Sequence, residues 1–464
     1  MSDLVLAGSL AMAVTLGACG GGGGTGQPSG VGGTVGTAGT GVGTGGSLGG
    51  QGGPGAGGGG GTVPPNPPGA FALTSPLDGS SSQPLTPHLQ WDFSDGADSY
   101  LVEIATAPTF GAADIVHQTV SATAADFTVA AGTLTAGVIY YWQVTATNAG
   151  GSTLSNGLPQ RFSSPYLVSG AHGIAATPDG LKLVVASDVN NGPIKIIDLL
   201  SHTVAASIST GVASQPKGIA VSPDGTEALA TLLTNGVGGV NGVAVIDLTT
   251  NTLVHNVADP CVATTLGDVA YFPDGISAAM PDLSSGCGAM GLSTFLPTGA
   301  PSFQFVNFND TNDPYGLAIT PDGTSVLVTM YLDHKLFRVT MPNTVTFITL
   351  PSTSVGVAIT PDGTKAVVAG NDVYVVTMAT GAFATVPMID DFPGGDFHDV
   401  AITPDGAEAV VVGGASIQVI SLTDNTVIAN YPANGGTNVA VSADGFTAFV
   451  TDRGNGWVRV VELP

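Results

Sequence analysis

The chain has 464 residues, enough for two or three domains, and only 9% of them are charged. Aspartate and glutamate number 34 against nine lysines and arginines, and the first of these basic residues is Arg161. A chain this acidic lacks the cations that neutralise nucleic-acid phosphates or anionic lipid headgroups, which argues against both as partners.

The chain opens with an apolar run, residues 4–16, that is too short to span a bilayer. It is followed by Gly17-Ala18-Cys19, and small residues at such a point are typical of a secretory signal. The order Leu16-Gly17-Ala18-Cys19 resembles the lipobox of bacterial lipoproteins, although residues 1–3 lack the usual positive charge. The resemblance implies a signal peptide over residues 1–18, cleavage before Cys19 and a lipid on that cysteine. The alternative is a plain secretory signal with an incidental cysteine.

Residues 19–66 are dominated by glycine, with prolines at the end. Such a composition buries too little apolar surface to offset the entropy of ordering it, so a disordered linker is expected. Its Gly-x-Gly triplets do not indicate dinucleotide binding, because no strand and helix flank them. The linker would hold a folded body away from a membrane.

Residues 67–164 contain short segments with alternating apolar residues, as in a half-buried β-sandwich. The positions of Trp91, residues 97–100, residues 108–110, residues 141–144 and Phe162 resemble those of a fibronectin type III domain. The resemblance implies that these residues form a core and its turns. No ligand motif is present in this region, so we expect a spacer domain.

From residue 165 onward one short turn recurs seven times, at steps of roughly 40 to 50 residues. The repeated aspartates are Asp179, Asp224, Asp274, Asp322, Asp362, Asp405 and Asp444. In six copies a proline precedes the aspartate and in all seven a glycine follows it, which is the composition of a tight turn. This period, made of short strands and turns, indicates a β-propeller.

Each repeat has room for four strands, which make one propeller blade. The repeats resemble the YVTN-type seven-bladed propellers, close to the lactonase-like ones, over residues 165–464. The last repeat ends after its third strand, while residues 165–169 precede the first repeat as a spare apolar segment. We predict that this segment is the outer strand of the last blade, which closes the ring and removes exposed strand edges.

Three cysteines are present, and Cys19 belongs to the signal boundary. If the repeated turns lie on the bottom face, Cys261 and Cys287 both lie on the top face of one blade. In an exported protein this favours a disulfide, with free thiols or a metal pair as the alternatives.

The first residue of each inner strand is expected to face the top of the central channel. In blade order these residues are His172, Lys217, Gly267, Tyr315, Val355, His398 and Thr437. The candidate ligand-binding residues are His172, Lys217, Tyr315 and His398, together with the following Asp399. Propeller ligands commonly bind at such a mouth, although wet positions also carry polar residues by default.

No zinc-protease motif or phosphate-binding loop occurs, so no catalytic residue, metal ligand or cofactor is assigned. The first interpretation is an exported lipoprotein of the bacterial outer membrane or cell surface. Its propeller would bind an extracellular or periplasmic ligand or protein, with a lipid as the only membrane contact. The second is a lactonase-like hydrolase acting on a sugar lactone at the same mouth, and the third is a structural envelope protein without a site. Enzyme activity is the less favoured of these interpretations.

Overall fold

The structure is a computed structural model. It describes residues 65–111, 114–211, 214–234, 241–258, 267–282, 290–298, 303–310, 312–331, 333–388, 397–413, 416–433 and 435–464. These residues form an all-β protein, as predicted. None of them belongs to a helix long and apolar enough to cross a membrane. The predicted signal peptide, Cys19 and nearly all of the predicted linker lie outside the described residues.

The N-terminal part is a sandwich of two antiparallel sheets. The smaller sheet has the order β1-β2-β5, with β1 (Leu73–Ser75), β2 (His88–Trp91) and β5 (Asp126–Thr128). The larger sheet consists of β3 (Ser99–Ala105), β4 (Val116–Ser121), β6 (Ile139–Asn148), β7 (Gly151–Leu154) and β8 (Gln160–Ser163). Its strand order is β4-β3-β6-β7, and β8 also pairs with β6. Alternation along β3 and β6 places Tyr100 and Trp142 in a shared core with Trp91, and all three are almost fully buried.

The remaining strands form seven four-stranded antiparallel sheets within the described residues, so the predicted seven-bladed propeller is confirmed. Blade one contains β10 (Ala171–Ala176), β11 (Lys182–Ser187), β12 (Ile194–Asp198) and β13 (Thr203–Ile208). Blade two contains β14 (Ser214–Val221), β15 (Glu227–Thr234), β16 (Gly242–Asp247) and β17 (Thr252–Ala258). Blade three contains β18 (Ala270–Tyr271), β19 (Ala278–Asp282), β20 (Gly291–Phe295) and β21 (Gln304–Asn307).

The other blades repeat the same antiparallel order. Blade four contains β22 (Pro314–Ile319), β23 (Ser325–Met330), β24 (Lys335–Thr340) and β25 (Thr344–Thr349). Blade five contains β26 (Ser354–Ile359), β27 (Lys365–Gly370), β28 (Val373–Thr377) and β29 (Phe383–Val386). Blade six contains β30 (Phe397–Ile402), β31 (Glu408–Gly413), β32 (Ser416–Ser421) and β33 (Thr426–Pro432). Blade seven contains β34 (Gly436–Val441), β35 (Thr447–Asp452), β36 (Trp457–Glu462) and β9 (Tyr166–Leu167).

The repeated turn joins the first and second strands of each blade and is built by its aspartate. In blade four, Thr320 Oγ1 donates to Asp322 Oδ1 at 2.6 Å, and the Thr324 N–H donates to the same oxygen at 3.0 Å. These hydrogen bonds favour the ionised carboxylate and lower the pKa of Asp322 to about 2. Gly323 has a φ of 69°, a conformation that favours glycine. The aspartates of the turns therefore have a structural role.

The ring closes through the N-terminal segment, as predicted. The strand β9 pairs with β36 through Tyr166 and Val458, so blade seven combines both ends of the propeller chain. The sandwich packs on the same blade, because Glu462 accepts hydrogen bonds from Tyr141 at 3.0 Å and from Arg161 at 2.9 Å. The sandwich is thereby fastened to the closing blade.

Candidate functional site

The inner strands of six blades carry an irregularity near their top ends. Pairing with the second strand shifts by one or more residues there, as between Ala171 and Ile174 in blade one and between Pro314 and Leu317 in blade four. Such bulges re-aim side chains and are frequent beside functional sites. The candidate residues His172, Lys217, Tyr315 and His398 all lie within these shifted segments.

Neighbouring inner strands approach one another very closely at the residue that directly follows each of these ring positions. This residue is a glycine in four blades: Gly173, Gly218, Gly316 and Gly356. A Cβ on Gly173 would lie 1.8 Å from the Lys217 carbonyl oxygen, and one on Gly316 would lie 2.2 Å from the Val355 carbonyl oxygen. Blades three, six and seven carry polar residues at the same position: Asp268, Asp399 and Asn438. Three polar side chains thus enter a ring otherwise made of glycines.

Asp268 and Asp399 are bonded alike, each to the inner strand of the following blade. Asp399 Oδ2 accepts the Val439 N–H at 3.0 Å, and the Asp268 carboxylate accepts the Leu317 N–H. Burial, reinforced by the Asp399 charge, raises the pKa of Asp268 to about 8. Burial raises the pKa of Asp399 to about 6, against the opposing effect of its hydrogen bonds. At neutral pH the pair therefore retains about one proton.

A second cluster surrounds Asp188, the residue that follows β11. Its side chain is 1% exposed, and its Oδ2 lies 3.0 Å from Arg453 Nη2 and 3.8 Å from Lys217 Nζ. Arg453 is 54% exposed, whereas Lys217 is 17% exposed. Among the described residues, one buried carboxylate thus faces two basic side chains, an excess of one positive charge within this cluster.

His172 interacts electrostatically with the cluster around Asp188. Burial, together with the nearby Lys217 and Arg453 charges, lowers the pKa of His172 to about 4 against the attraction of Asp188, so the imidazole is neutral at pH 7. His172 Nδ1 is buried without a hydrogen-bond partner among the described residues. Asn438 Oδ1, on the neighbouring inner strand, has the same property. Buried polar atoms are normally paired, so both point to a bound group at this place.

The other predicted residues also take part. Burial, followed by the charges of Asp268 and Asp399, raises the pKa of Tyr315, whose phenol therefore remains a proton donor. The Tyr315 ring packs on Tyr331 with centroids 6.0 Å apart. His398 is half-buried, and its charge contributes to lowering the pKa of His172. The structure thus brings His172, Lys217, Tyr315, His398 and Asp399 into one electrostatically connected group.

The remaining ring positions are less polar. Val355 is buried, and Thr437 Oγ1 lies 2.9 Å from Thr451 Oγ1. Cys261 and Cys287 lie outside the described residues, as does Cys19, so their pairing and lipidation stay predictions.

Sequence reasoning missed four members of the group: Asp188, Asp268, Asn438 and Arg453. The repeat alignment contains a signal for each of them. Asp188 and Arg453 both occupy the ninth position after the turn aspartates Asp179 and Asp444. The other two replace the glycine of the inner strand.

Comparisons with known proteins support the fold. No family model matches the chain, and no curated protein matches it in sequence. Hydrazine synthase of Kuenenia stuttgartiensis matches in structure with a TM-score of 0.53 and 18% identity, covering 64% of this chain and 96% of that one. The β-propeller domain of Cps50 (Swd1) from Myceliophteria thermophila matches with a TM-score of 0.54 and 11% identity, covering 65% and 98%. Identities this low show a shared β-propeller fold alone.

Proposed function

We propose that the propeller binds a small hydroxy acid, such as a sugar acid, at the top of its central channel. The observation that carries this proposal is the pair of buried polar atoms without partners, His172 Nδ1 and Asn438 Oδ1, on adjacent inner strands. A ligand hydroxyl satisfies either atom, because it both donates and accepts hydrogen bonds.

The charges on the two sides of the site favour a ligand with two different ends. Lys217 and Arg453 exceed the single charge of Asp188, so a ligand carboxylate is favoured on their side. Asp268 and Asp399 hold about one negative charge between them at neutral pH, so ligand hydroxyls are favoured there. A carboxylate next to several hydroxyls is the composition of a sugar acid.

A second candidate function is hydrolysis of the corresponding lactone. The specific observation is that the Asp399 carboxylate accepts two backbone N–H groups, at 2.8 Å and 3.0 Å, while its charge raises the pKa of the neighbouring Asp268. Two interacting carboxyl groups with different surroundings suit general acid and base catalysis. In this case Asp399 would take a proton from water and Asp268 would donate one to the leaving oxygen. The sugar acid would then be the product.

The test measures binding by calorimetry with gluconate, glucose and gluconolactone as probes, on the whole chain. We expect gluconate to bind more tightly than glucose, and His172→Leu to weaken gluconate binding at least tenfold. The matched control is His255→Leu, because His255 lies on β17 with its Nε2 at 3.0 Å from the Pro297 carbonyl oxygen. Equal affinity in wild type and His172→Leu would contradict the proposal.

Lactone consumption in a pH-stat separates the two functions. In an enzyme, Asp399→Asn lowers turnover by a much larger factor than it lowers the affinity for gluconate. A binding protein shows no consumption above the spontaneous rate in either form.

We also propose that the protein is a lipid-anchored envelope protein. The Leu16-Gly17-Ala18-Cys19 order supports this, as does the glycine-rich composition that follows it. In the same proposal the sandwich is a fibronectin type III-like spacer and the propeller is of the YVTN type. Replacing Cys19 by alanine should release the protein from the membrane fraction, and retention there would contradict the anchor.

A further inference from the structure

We infer that the sandwich carries a divalent metal site, of a kind suited to zinc, formed by Glu103, Asp114 and His117. One ligand atom from each of these side chains lies within 4.8 Å of the other two. The site is on the sandwich and independent of the channel in the propeller. No metal ligand was expected here from the sequence.

Strand pairing brings the first two ligands together. Glu103 on β3 and His117 on β4 are directly opposite in the antiparallel register, so their side chains share the outer face of the sheet. His117 Nδ1 lies 3.2 Å from Glu103 Oε1. Two ligands of a tetrahedral zinc ion with bonds of about 2.0 to 2.1 Å are separated by about 3.3 Å. The observed separation therefore fits one edge of a zinc tetrahedron.

Groups around the ligands hold them in place. Gln143 is opposite Glu103 on β6, and its Nε2 donates to Glu103 Oε2 at 2.7 Å. The Gly111 N–H donates to Asp114 Oδ2 at 2.9 Å. Hydrogen bonds of this kind orient metal ligands. The other oxygen of Glu103, Oε1, is the one that faces His117.

The charge balance also favours a cation. The Glu103 side chain is 8% exposed, and a buried carboxylate is costly without a counter-charge. No lysine or arginine precedes Arg161 in the chain. Arg161 itself is paired with Asp78 and Glu462. Within the described part of the chain, Glu103 forms its ion pair with His117. A metal ion would supply the positive charge that the carboxylates of Glu103 and Asp114 need.

The nature of the ligands selects the metal. One imidazole nitrogen with two carboxylate oxygens suits zinc and similar first-row ions, whereas calcium prefers six or more oxygens. Three protein ligands leave one position of a tetrahedron for water. His117 is 40% exposed, so an ion from solvent has access to the site.

The test uses cobalt(II) as a spectroscopic substitute for zinc, titrated into the whole chain. We expect visible d–d bands typical of tetrahedral cobalt, displaced by zinc, with saturation at micromolar metal. We also expect no thiolate charge-transfer band in the near ultraviolet, which excludes binding by the cysteines. His117→Ala and Glu103→Gln should each weaken binding at least tenfold. Zinc should raise the thermal midpoint of the wild type more than that of either variant.

The matched control is His88→Ala. His88 lies on the same sandwich and also pairs with a carboxylate, with its Nε2 at 2.7 Å from Asp126 Oδ2. Its replacement should leave cobalt binding unchanged. Absence of visible bands, saturation only at millimolar metal, or equal affinity in His117→Ala and wild type would overturn the inference. Because His117 is partly exposed, its alanine variant is expected to fold, and circular dichroism checks this.

Discussion

Replacing Asp268 by asparagine should stabilise the protein at pH 8 and have no effect at pH 4. The pKa of Asp268 is raised to about 8 in the folded protein, from an ordinary value near 3.8. Its protonated form therefore stabilises the fold fully below pH 4, and this stability is lost as the pH rises toward 8. Asparagine cannot ionise, yet its side-chain oxygen still accepts the Leu317 N–H.

The magnitude follows from the size of the pKa change. Each unit corresponds to about 1.4 kcal/mol, so a rise of roughly four units sets an upper bound near 6 kcal/mol. Although burial is the main cause of this pKa change, Asp268 keeps some exposure, and water screens part of its charge. We therefore expect about 2 kcal/mol at pH 8. For a propeller of roughly 300 residues the change corresponds to a rise in Tm of about 3 °C.

The assay is thermal unfolding of the whole chain followed by circular dichroism at pH 4, 6 and 8. The control is Asp322→Asn, where the pKa is lowered to about 2 and the sign is reversed. That variant should be less stable than wild type at neutral pH, with a difference that fades as the pH falls toward 2. An Asp268→Asn protein that is no more stable than wild type at pH 8, or equally stabilised at pH 4, would refute the reasoning.

Three further substitutions test the packing by urea denaturation of the whole chain. Gly173→Ala should lower the free energy of unfolding by at least about 2 kcal/mol, because the new Cβ would lie 1.8 Å from the Lys217 carbonyl oxygen. An unchanged urea midpoint would show that the two inner strands are farther apart than in this structure. Thr329→Val should lower the free energy of unfolding by about 1 to 3 kcal/mol, because Thr329 Oγ1 accepts the buried Gly316 N–H at 2.8 Å. An unchanged stability would mean that this N–H finds another acceptor. Glu462→Ala should cost about 1 kcal/mol and expose the sandwich to earlier proteolysis, because it removes the acceptor of two sandwich side chains. Unaltered proteolysis would contradict that role.

The propeller was predictable from sequence because one local signal recurs in every blade. The turn aspartate is bonded by its own neighbours, as Thr320 bonds Asp322, so the motif is visible without tertiary structure. Ring closure was also predictable, since a spare strand at one end matches a missing strand at the other. The pairing of Tyr166 with Val458 confirms this prediction.

The candidate site was only partly predictable. The ring position identified His172 and Tyr315, because it follows from the repeat alone. Asp268 escaped notice since its importance depends on the coupling to Asp399, which belongs to another blade. Arg453 reaches Asp188 across the closure of the ring, between residues far apart in the chain. Contacts of this kind become apparent only when the blades are placed around a common axis.

The most direct test is a crystal structure of the whole chain soaked with gluconate. We predict density for the acid at the top of the channel, with a hydroxyl at His172 Nδ1 and at Asn438 Oδ1. Its carboxylate should lie beside Lys217 and Arg453. The account is contradicted if protein side chains pair both atoms and fill the channel mouth, or if gluconate binds only elsewhere on the surface.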